Sequence, residues 1–240
     1  MWMICLKEWR QFFGSLTSYI AIVLFLLLMG LFLFVFPDSS ILDFGYASLD
    51  NFFTIAPHIL LFLVPTITMR SMADEYKSGT FEILKTLPIS SANIVWGKYF
   101  GCLLVVAVAL VPTLVYGISL QQLSAKGGID IGAATGSYIG LLMLAAVYTS
   151  VGVCSSSFTN NTVVAFIVAA FVSFLLYSGF LAISKLPVLS GGAGYYVGML
   201  GIDFHYKSIS RGVVDTRDVV YFGAMIVLFL MITVRNVERR

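Results

Sequence analysis

Charged residues are scarce in this chain of 240 residues: 11% are Asp, Glu, Lys or Arg, whereas 59% are hydrophobic. A chain of this composition cannot bury all its apolar side chains within itself, so an ordinary water-soluble fold is excluded. The sequence also lacks a Gly-rich loop ending in Gly-Lys-Ser or Gly-Lys-Thr, whose backbone amides bind nucleotide phosphates. We therefore do not expect the chain to bind ATP itself.

The signatures of enzymes and metal sites are missing as well. There is no His-Glu-x-x-His and no Gly-x-Ser-x-Gly, which disfavours metal-assisted hydrolysis and Ser-His chemistry. The three cysteines have no metal-ligand spacing, and a net charge of +2 does not indicate nucleic-acid binding. No catalytic, metal or cofactor site is predicted.

What the sequence does contain is six apolar stretches, each close to the length of about 20 residues that a helix needs to cross a bilayer. The predicted spans are 16–36, 52–69, 99–120, 131–154, 162–183 and 219–234. None of these cores contains Asp or Glu, which disfavours an ion-coupled carrier. The predicted fold is therefore an all-α polytopic membrane protein, a single transmembrane domain over 1–240.

His58, beside Pro57 in the second stretch, is the one ionisable candidate within these cores. Two interpretations remain open: a polar histidine at a kinked or interfacial site, or a proton relay.

The first 15 residues have the pattern of a helix that lies in the membrane interface. The apolar and polar residues fall on opposite helical faces, Trp2, Cys5, Leu6, Trp9 and Phe13 on one and Lys7, Glu8, Arg10 and Gln11 on the other. The alternative is a polar extension of the first span.

The distribution of Lys and Arg predicts that both termini face the cytoplasm. Nine basic residues fall on the side of the termini, namely Lys7, Arg10, Arg70, Lys77, Lys85, Lys98, Arg235, Arg239 and Arg240. Five fall on the opposite side, namely Lys126, Lys185, Lys207, Arg211 and Arg217.

The segment between the second and third spans predicts a short amphipathic helix. Ser78 or Gly79 can cap it, Glu82 in its first turn favours the helix dipole, and Pro88 ends it. Its apolar side chains share one face, with Phe81, Leu84 and Leu87 at intervals of three and Ile83 beside them. That face is suited either to a socket on a partner protein or to the lipid headgroups.

Two segments resemble the ABC-2 type permeases. EYKSGTFEILKTLPISSANIVWGKYFG resembles the segment between their second and third spans, the matching residues being Glu75, Gly79, Thr80, Glu82, Leu84, Pro88, Gly97 and Lys98. SRGVVDTRDVVYF, residues 210–222, is similar to the segment that leads into their sixth span. Within the family, the likeness is nearest to the gliding-motility-associated ABC permease.

The resemblance implies an exporter subunit in a bacterial inner membrane, surrounded by lipid and paired with a second permease subunit. A cytoplasmic ABC ATPase would bind ATP and Mg²⁺ and dock on a coupling helix at about 79–88. The docking residues implied are Gly79, Thr80, Phe81, Glu82, Leu84, Leu87 and Pro88, supported by Glu75 and Lys98.

The resemblance also implies that 184–217 forms a re-entrant hairpin on the outer side. Asp215 and Asp218 can cap the start of the last part, 218–240, which holds the sixth span and the tail.

No polar constellation within the spans indicates a substrate. An alternative function is therefore a mechanotransmission or scaffold subunit, which passes ATPase motion to an envelope partner and transports nothing.

Overall fold

The computed structural model describes residues 1–36, 48–86, 88–123, 130–187, 192–213 and 215–239. Within these residues the chain forms helices and no strand, so the predicted all-α class is confirmed. Leu87, Lys126 and Arg240, which were used in the sequence analysis, lie outside the described residues.

The α-helices are α1 Trp2–Phe13, α2 Leu16–Phe34, α3 Asp50–Thr68, α4 Arg70–Ser78, α5 Thr80–Thr86, α6 Ser91–Leu110, α7 Leu114–Leu123, α8 Ile131–Phe158, α9 Thr162–Phe174, α10 Phe180–Ser184, α11 Ala193–Met199, α12 Ile202–Ile209 and α13 Thr216–Arg239. A 3₁₀ turn, Val111–Thr113, joins α6 to α7, and a π-helical turn, Leu175–Gly179, joins α9 to α10.

Among the described residues, six helical stretches are long and apolar enough to cross a membrane, which confirms the six predicted spans. They are Leu16–Phe34, Asp50–Ser78, Ser91–Gln122, Ile131–Phe158, Thr162–Ser184 and Thr216–Arg239. The second runs well past the predicted end at residue 69, because Met69 keeps helical dihedral angles (φ −55°, ψ −31°) and α4 continues from α3. A charged residue ends an apolar stretch but does not end a helix.

Helix α8 lies at the centre of the bundle. In its apolar core 83% of the residues are buried, against 22% in spans one, five and six. It packs against α3, α9 and α13, and its glycines make close approach possible. A Cβ atom on Gly152 would lie 2.0 Å from Thr68 Oγ1, and one on Gly140 would lie 2.5 Å from Ile209 Cγ2.

The bundle has two distinct ends. The end that carries α1, α4, α5 and the C-terminal turn of α13 is called the termini side. Here Ser156 Oγ accepts from the backbone N–H groups of Met72 at 3.1 Å and Ala73 at 3.0 Å. Asn236 Nδ2 donates to the carbonyl oxygen of Ser157 at 2.7 Å, which joins α13 to α8.

The opposite end carries α11 and α12 and is called the hairpin side. Its two short helices pack on the spans: the hydroxyl of Tyr206 donates to the carbonyl oxygen of Phe53 at 2.8 Å, and Ser137 Oγ donates to that of Ser210 at 2.8 Å. Residues 192–209 are thus folded against the bundle and are not a plain surface loop. Entry of this hairpin into the bilayer stays a prediction.

The close contact at Gly152 predicts that an added methyl group lowers stability there but not at an open position such as Gly223. Gly152→Ala is expected to lower the free energy of unfolding by about 1–3 kcal/mol, because Thr68 must shift to admit the Cβ atom. Gly223→Ala in α13 is the control, because nothing lies within 4 Å of its new Cβ atom. Thermal unfolding in detergent measures both; equal midpoints for the two variants would contradict the packing of α3 on α8.

Candidate functional site

Helix α5 is set at an angle to α4 by a single glycine. Gly79 adopts a left-handed conformation (φ 71°), which favours glycine, and its N–H closes α4 on the carbonyl oxygen of Tyr76 at 3.4 Å. Ser78 Oγ lies 2.9 Å from Thr80 Oγ1 and fastens the turn. Gly79 therefore ends one helix and allows the next to begin at Thr80, within one residue of the predicted start.

The two faces of α5 are not those expected from the sequence. Phe81 is only 4% exposed, because its ring packs edge-on against Tyr76 at 4.7 Å and so anchors α5 to α4. Leu84 is half-buried beside the core. The exposed surface is formed by Ile83, which is 67% exposed, together with Thr80, Glu82, Lys85, Thr86 and Pro88. The expectation that Phe81 projects outward is corrected: its apolar ring is buried within the subunit.

A group of four charges lies on the helices that lead to α5; three of them are buried and the fourth, Lys7, is half-exposed. Lys98 Nζ, fully inaccessible, lies 2.7 Å from Glu8 Oε1 and 2.9 Å from Glu75 Oε2. It also donates to the carbonyl oxygen of Ser71, and Lys7 Nζ pairs with the other oxygen of Glu75 at 2.5 Å. Lys7, Glu8, Glu75 and Lys98 are called the ion cluster. Two lysines and two glutamates balance the charge and join α1, α4 and α6.

The glycines of α6 explain how α1 approaches Lys98 so closely. A Cβ atom on Gly97 would lie 2.9 Å from Ile4 Cβ, and one on Gly101 would lie 2.7 Å from Glu8 Cβ. Glycines four residues apart form a shallow groove along one helix face, a common arrangement where membrane helices pack closely. The Gly97-Lys98 pair of the quoted motif thus provides both the groove and its charge.

The ion cluster was only partly visible in the sequence. Glu75 and Lys98 were expected as supporting residues, and the structure brings them together. Glu8 was expected on the polar face of α1, but it is buried, because Lys98 needs a second carboxylate. The sequence did contain one indication of the ion cluster. Lys98 lies at the start of an apolar span, and no acidic residue lies on the same helix.

A second polar group lies on the hairpin side and was missed by the sequence analysis. His205 Nδ1 lies 2.7 Å from Asp218 Oδ1, and the imidazole stacks on Tyr221 at 3.9 Å. Asp203 pairs with Lys207 at 2.7 Å. A half-open cavity of about 830 Å³ is lined by Asp203, His205, Lys207 and Asp218. The sequence indicates this polar group only weakly, because its residues come from two separate places: the segment between spans five and six, and the start of α13.

The two aspartates predicted to cap the sixth span have different roles. Asp215 Oδ1 accepts from the backbone N–H of Arg217 at 3.0 Å, and this hydrogen bond lowers the pKa of the carboxyl group. Asp218 is instead buried and pairs with His205. Only Asp215 makes the predicted type of cap.

His58 lies on the outer surface of α3. Its Nδ1 lies 3.1 Å from the carbonyl oxygen of Thr54, and its ring contacts Tyr177, in the π-helical turn, at 5.3 Å. No acidic residue forms an ion pair with it in the described part of the chain. The surroundings support the polar interpretation of His58.

Neither polar group has the composition of a metal site. Among the described residues, no three His, Cys, Asp or Glu side chains are placed to hold a metal ion. The ion cluster uses its carboxylates to neutralise lysines. Its chemistry is therefore structural: it holds three helices together next to an exposed short helix.

Comparison with known protein families identifies a match over most of the chain. The family described as ABC-2 family transporter protein matches residues 2–190, which include the ion cluster, α5 and spans one to five. No curated protein matches the sequence.

The ion cluster predicts a large loss of stability when its central cation is removed. Lys98→Met is expected to cost about 3–5 kcal/mol, because Glu8 loses the cation with which it pairs and stays buried. Lys85→Met, on the exposed face of α5, is the control and should change stability by no more than about 0.5 kcal/mol. Unfolding in detergent measures both.

A second substitution distinguishes a lost charge from lost packing. Adding Glu8→Gln to Lys98→Met should recover part of the stability, because the uncompensated carboxylate is gone. A Lys98→Met variant as stable as the parent would contradict the ion cluster, as would a double variant with no recovery.

Proposed function

The chain belongs to the ABC-2 family of transporter proteins, and from this membership we propose that it is the permease subunit of an ABC exporter. In this proposal a separate cytoplasmic ABC ATPase binds ATP and Mg²⁺ and supplies the energy. The permease contributes the membrane pathway and the surface on which the ATPase docks.

The observation that carries the proposal is the position of α5. It is a two-turn helix at the termini side, and its outward surface combines an exposed apolar residue, Ile83, with the charges of Glu82 and Lys85. An exposed apolar residue within a polar rim is typical of a small docking surface. We propose that α5, with the flanking residues Gly79 and Pro88, is the coupling helix.

The helices behind α5 suit the transmission of force. Phe81 fastens α5 to α4, α4 continues from α3, and the ion cluster fastens α4 to α1 and α6. A displacement of α5 by nucleotide-driven closure of the ATPase would therefore move spans two and three and α1 together. Such a connected group is the element that ATP binding would switch between two states.

We propose that the termini side faces the cytoplasm of a bacterial inner membrane. The excess of Lys and Arg on that side supports this orientation. The exposed apolar residues of α1, Trp2 and Met3, support its placement in the membrane interface.

We also propose that a second permease subunit covers part of span two. Thr54, His58 and Thr66 lie at four-residue or eight-residue spacing on its accessible face, and each bonds a carbonyl group one turn earlier. A ridge of polar side chains on the outside of a span is better covered by protein than by lipid tails.

Two narrower proposals concern the hairpin and the association with gliding motility. The hairpin of α11 and α12 is proposed to be re-entrant, since Ile209 packs on Gly140, which lies about 13 Å along α8 from its first residue. The association with gliding motility rests on the two quoted segments alone, of which 210–222 lies beyond the matched residues 2–190.

The docking proposal is tested by charge substitution on the exposed face of α5. Ile83→Asp is expected to weaken ATPase co-purification about tenfold or more, because burying an isoleucine contributes about 1.5–3 kcal/mol. Insertion of the permease should be unchanged, because Ile83 contacts solvent in the subunit. Phe81→Asp is the wrong test, since it would break the contact with Tyr76 and damage the permease itself.

Two controls complete the experiment. Ile83→Val should retain the co-expressed ATPase, and Lys85→Ala should reduce it only slightly. A lipid-facing α5 predicts another outcome: Ile83→Asp would disturb membrane seating and leave co-purification normal. Full retention of the ATPase by Ile83→Asp would exclude α5 as the docking helix.

A further inference from the structure

A cavity of about 180 Å³ opens on the termini side, between the corner of α1 and α2, the junction of α3 and α4, and α6. A space of this size accommodates a small polar headgroup. One of its walls is Glu8 of the ion cluster, so its contents lie against the element that joins α1 to the spans.

The cavity straddles the boundary between apolar and polar surface. Ala21, Ile67 and Val105 line it from the apolar spans, whereas Arg70 and Asp74 line it from the polar helix α4. Arg70 is the first Asp, Glu, Lys or Arg after the apolar stretch 52–69. The cavity therefore lies at the depth where phospholipid headgroups meet their acyl chains.

The polar wall presents one cation and one anion. Arg70 Nη1 donates to Thr17 Oγ1 at 2.9 Å, which leaves other guanidinium donors for a ligand. Asp74 lies one turn further along α4, half-buried, and its carboxylate forms no ion pair within the described ranges. Residues four apart lie on the same helix face, about 5–6 Å from each other. Their charges are complementary to a zwitterion that carries a phosphate and an ammonium group.

A buried, unsatisfied hydroxyl lies behind the polar wall of this cavity. Ser71 is only 4% exposed, and its Oγ finds no hydrogen-bond partner in the part of the chain that the structure describes. Buried polar atoms are nearly always paired, and an unpaired one costs free energy. This oxygen is itself inaccessible, so it adds to the polarity behind the wall and makes no contact with a headgroup.

We propose that this cavity binds the headgroup of one phosphatidylethanolamine molecule from the leaflet on the termini side. The phosphate lies at Arg70, the ammonium at Asp74, and the acyl chains remain in the bilayer. Phosphatidylglycerol has no cation for Asp74, and the trimethylammonium of phosphatidylcholine cannot donate a hydrogen bond to it. The site therefore selects ethanolamine headgroups over both.

Native mass spectrometry of the full chain tests the proposal. The protein is equilibrated in nanodiscs of phosphatidylethanolamine, phosphatidylcholine or phosphatidylglycerol and released under mild conditions, and retained lipid is counted per subunit. One phosphatidylethanolamine should be retained, about tenfold more than either other lipid, as expected from one charge-assisted contact. Soluble glycerophosphoethanolamine is added as a competitor, to distinguish a membrane lipid from a free phosphate compound.

Three variants with matched controls locate the bound lipid. Asp74→Asn should abolish the preference for ethanolamine, and Arg70→Gln should lower retention of all three lipids; Lys77→Gln, exposed on α4 outside the cavity, should change neither. Ala21→Phe should fill the cavity and release the lipid, whereas Val23→Phe on the exposed face of α2 should not. Gel filtration verifies that each variant is folded.

The lipid-retention measurements can either support or overturn the proposed site. Selective retention that is lost in Asp74→Asn and Ala21→Phe, and kept in Lys77→Gln and Val23→Phe, supports the site. Equal retention of all three lipids, an unchanged preference in Asp74→Asn, or binding of the soluble competitor in place of the lipid overturns it.

Discussion

The termini side of the structure depends on the burial of one ammonium group. Lys98 lies at the start of an apolar span, fully removed from solvent, and a charge in that position must be neutralised nearby. Its two carboxylate partners, Glu8 and Glu75, come from different helices. Since neither partner belongs to the helix of Lys98, α1, α4 and α6 must lie together for the charge to be stable.

This constraint determines the surroundings of α5. Once α4 is held by the ion cluster, the left-handed Gly79 and the packing of Phe81 on Tyr76 place α5 beyond the end of the second span. The same helix is continuous with α3, which packs on the central helix α8. An exposed short helix is thus connected to the core of the bundle without a flexible segment between them, which is the arrangement that a coupling helix requires.

The parts of the fold that were predictable depend on local sequence. Six spans follow from apolar length alone, and the limits of α5 follow from Gly79 and Pro88. The direction in which Phe81 faces was not predictable, because helical spacing defines a face but not whether protein or solvent covers it. The ion cluster joins residues 68 and 90 positions apart, and His205 meets Asp218 only after the hairpin folds back on α13. Such pairs need tertiary structure.

The most direct test of the central claim, that α1 and α4 move as one body, is a spin-label distance across the ion cluster. Labels are placed on exposed cysteines substituted at Arg10 and Lys77, because the three native cysteines are buried. Double electron–electron resonance then compares the nucleotide-free and ATP-trapped states of the complex with the proposed partner ATPase. We predict an unchanged distance between α1 and α4, with altered distances from both helices to the proposed second permease subunit. A change in the distance between α1 and α4 comparable to the others would contradict the account.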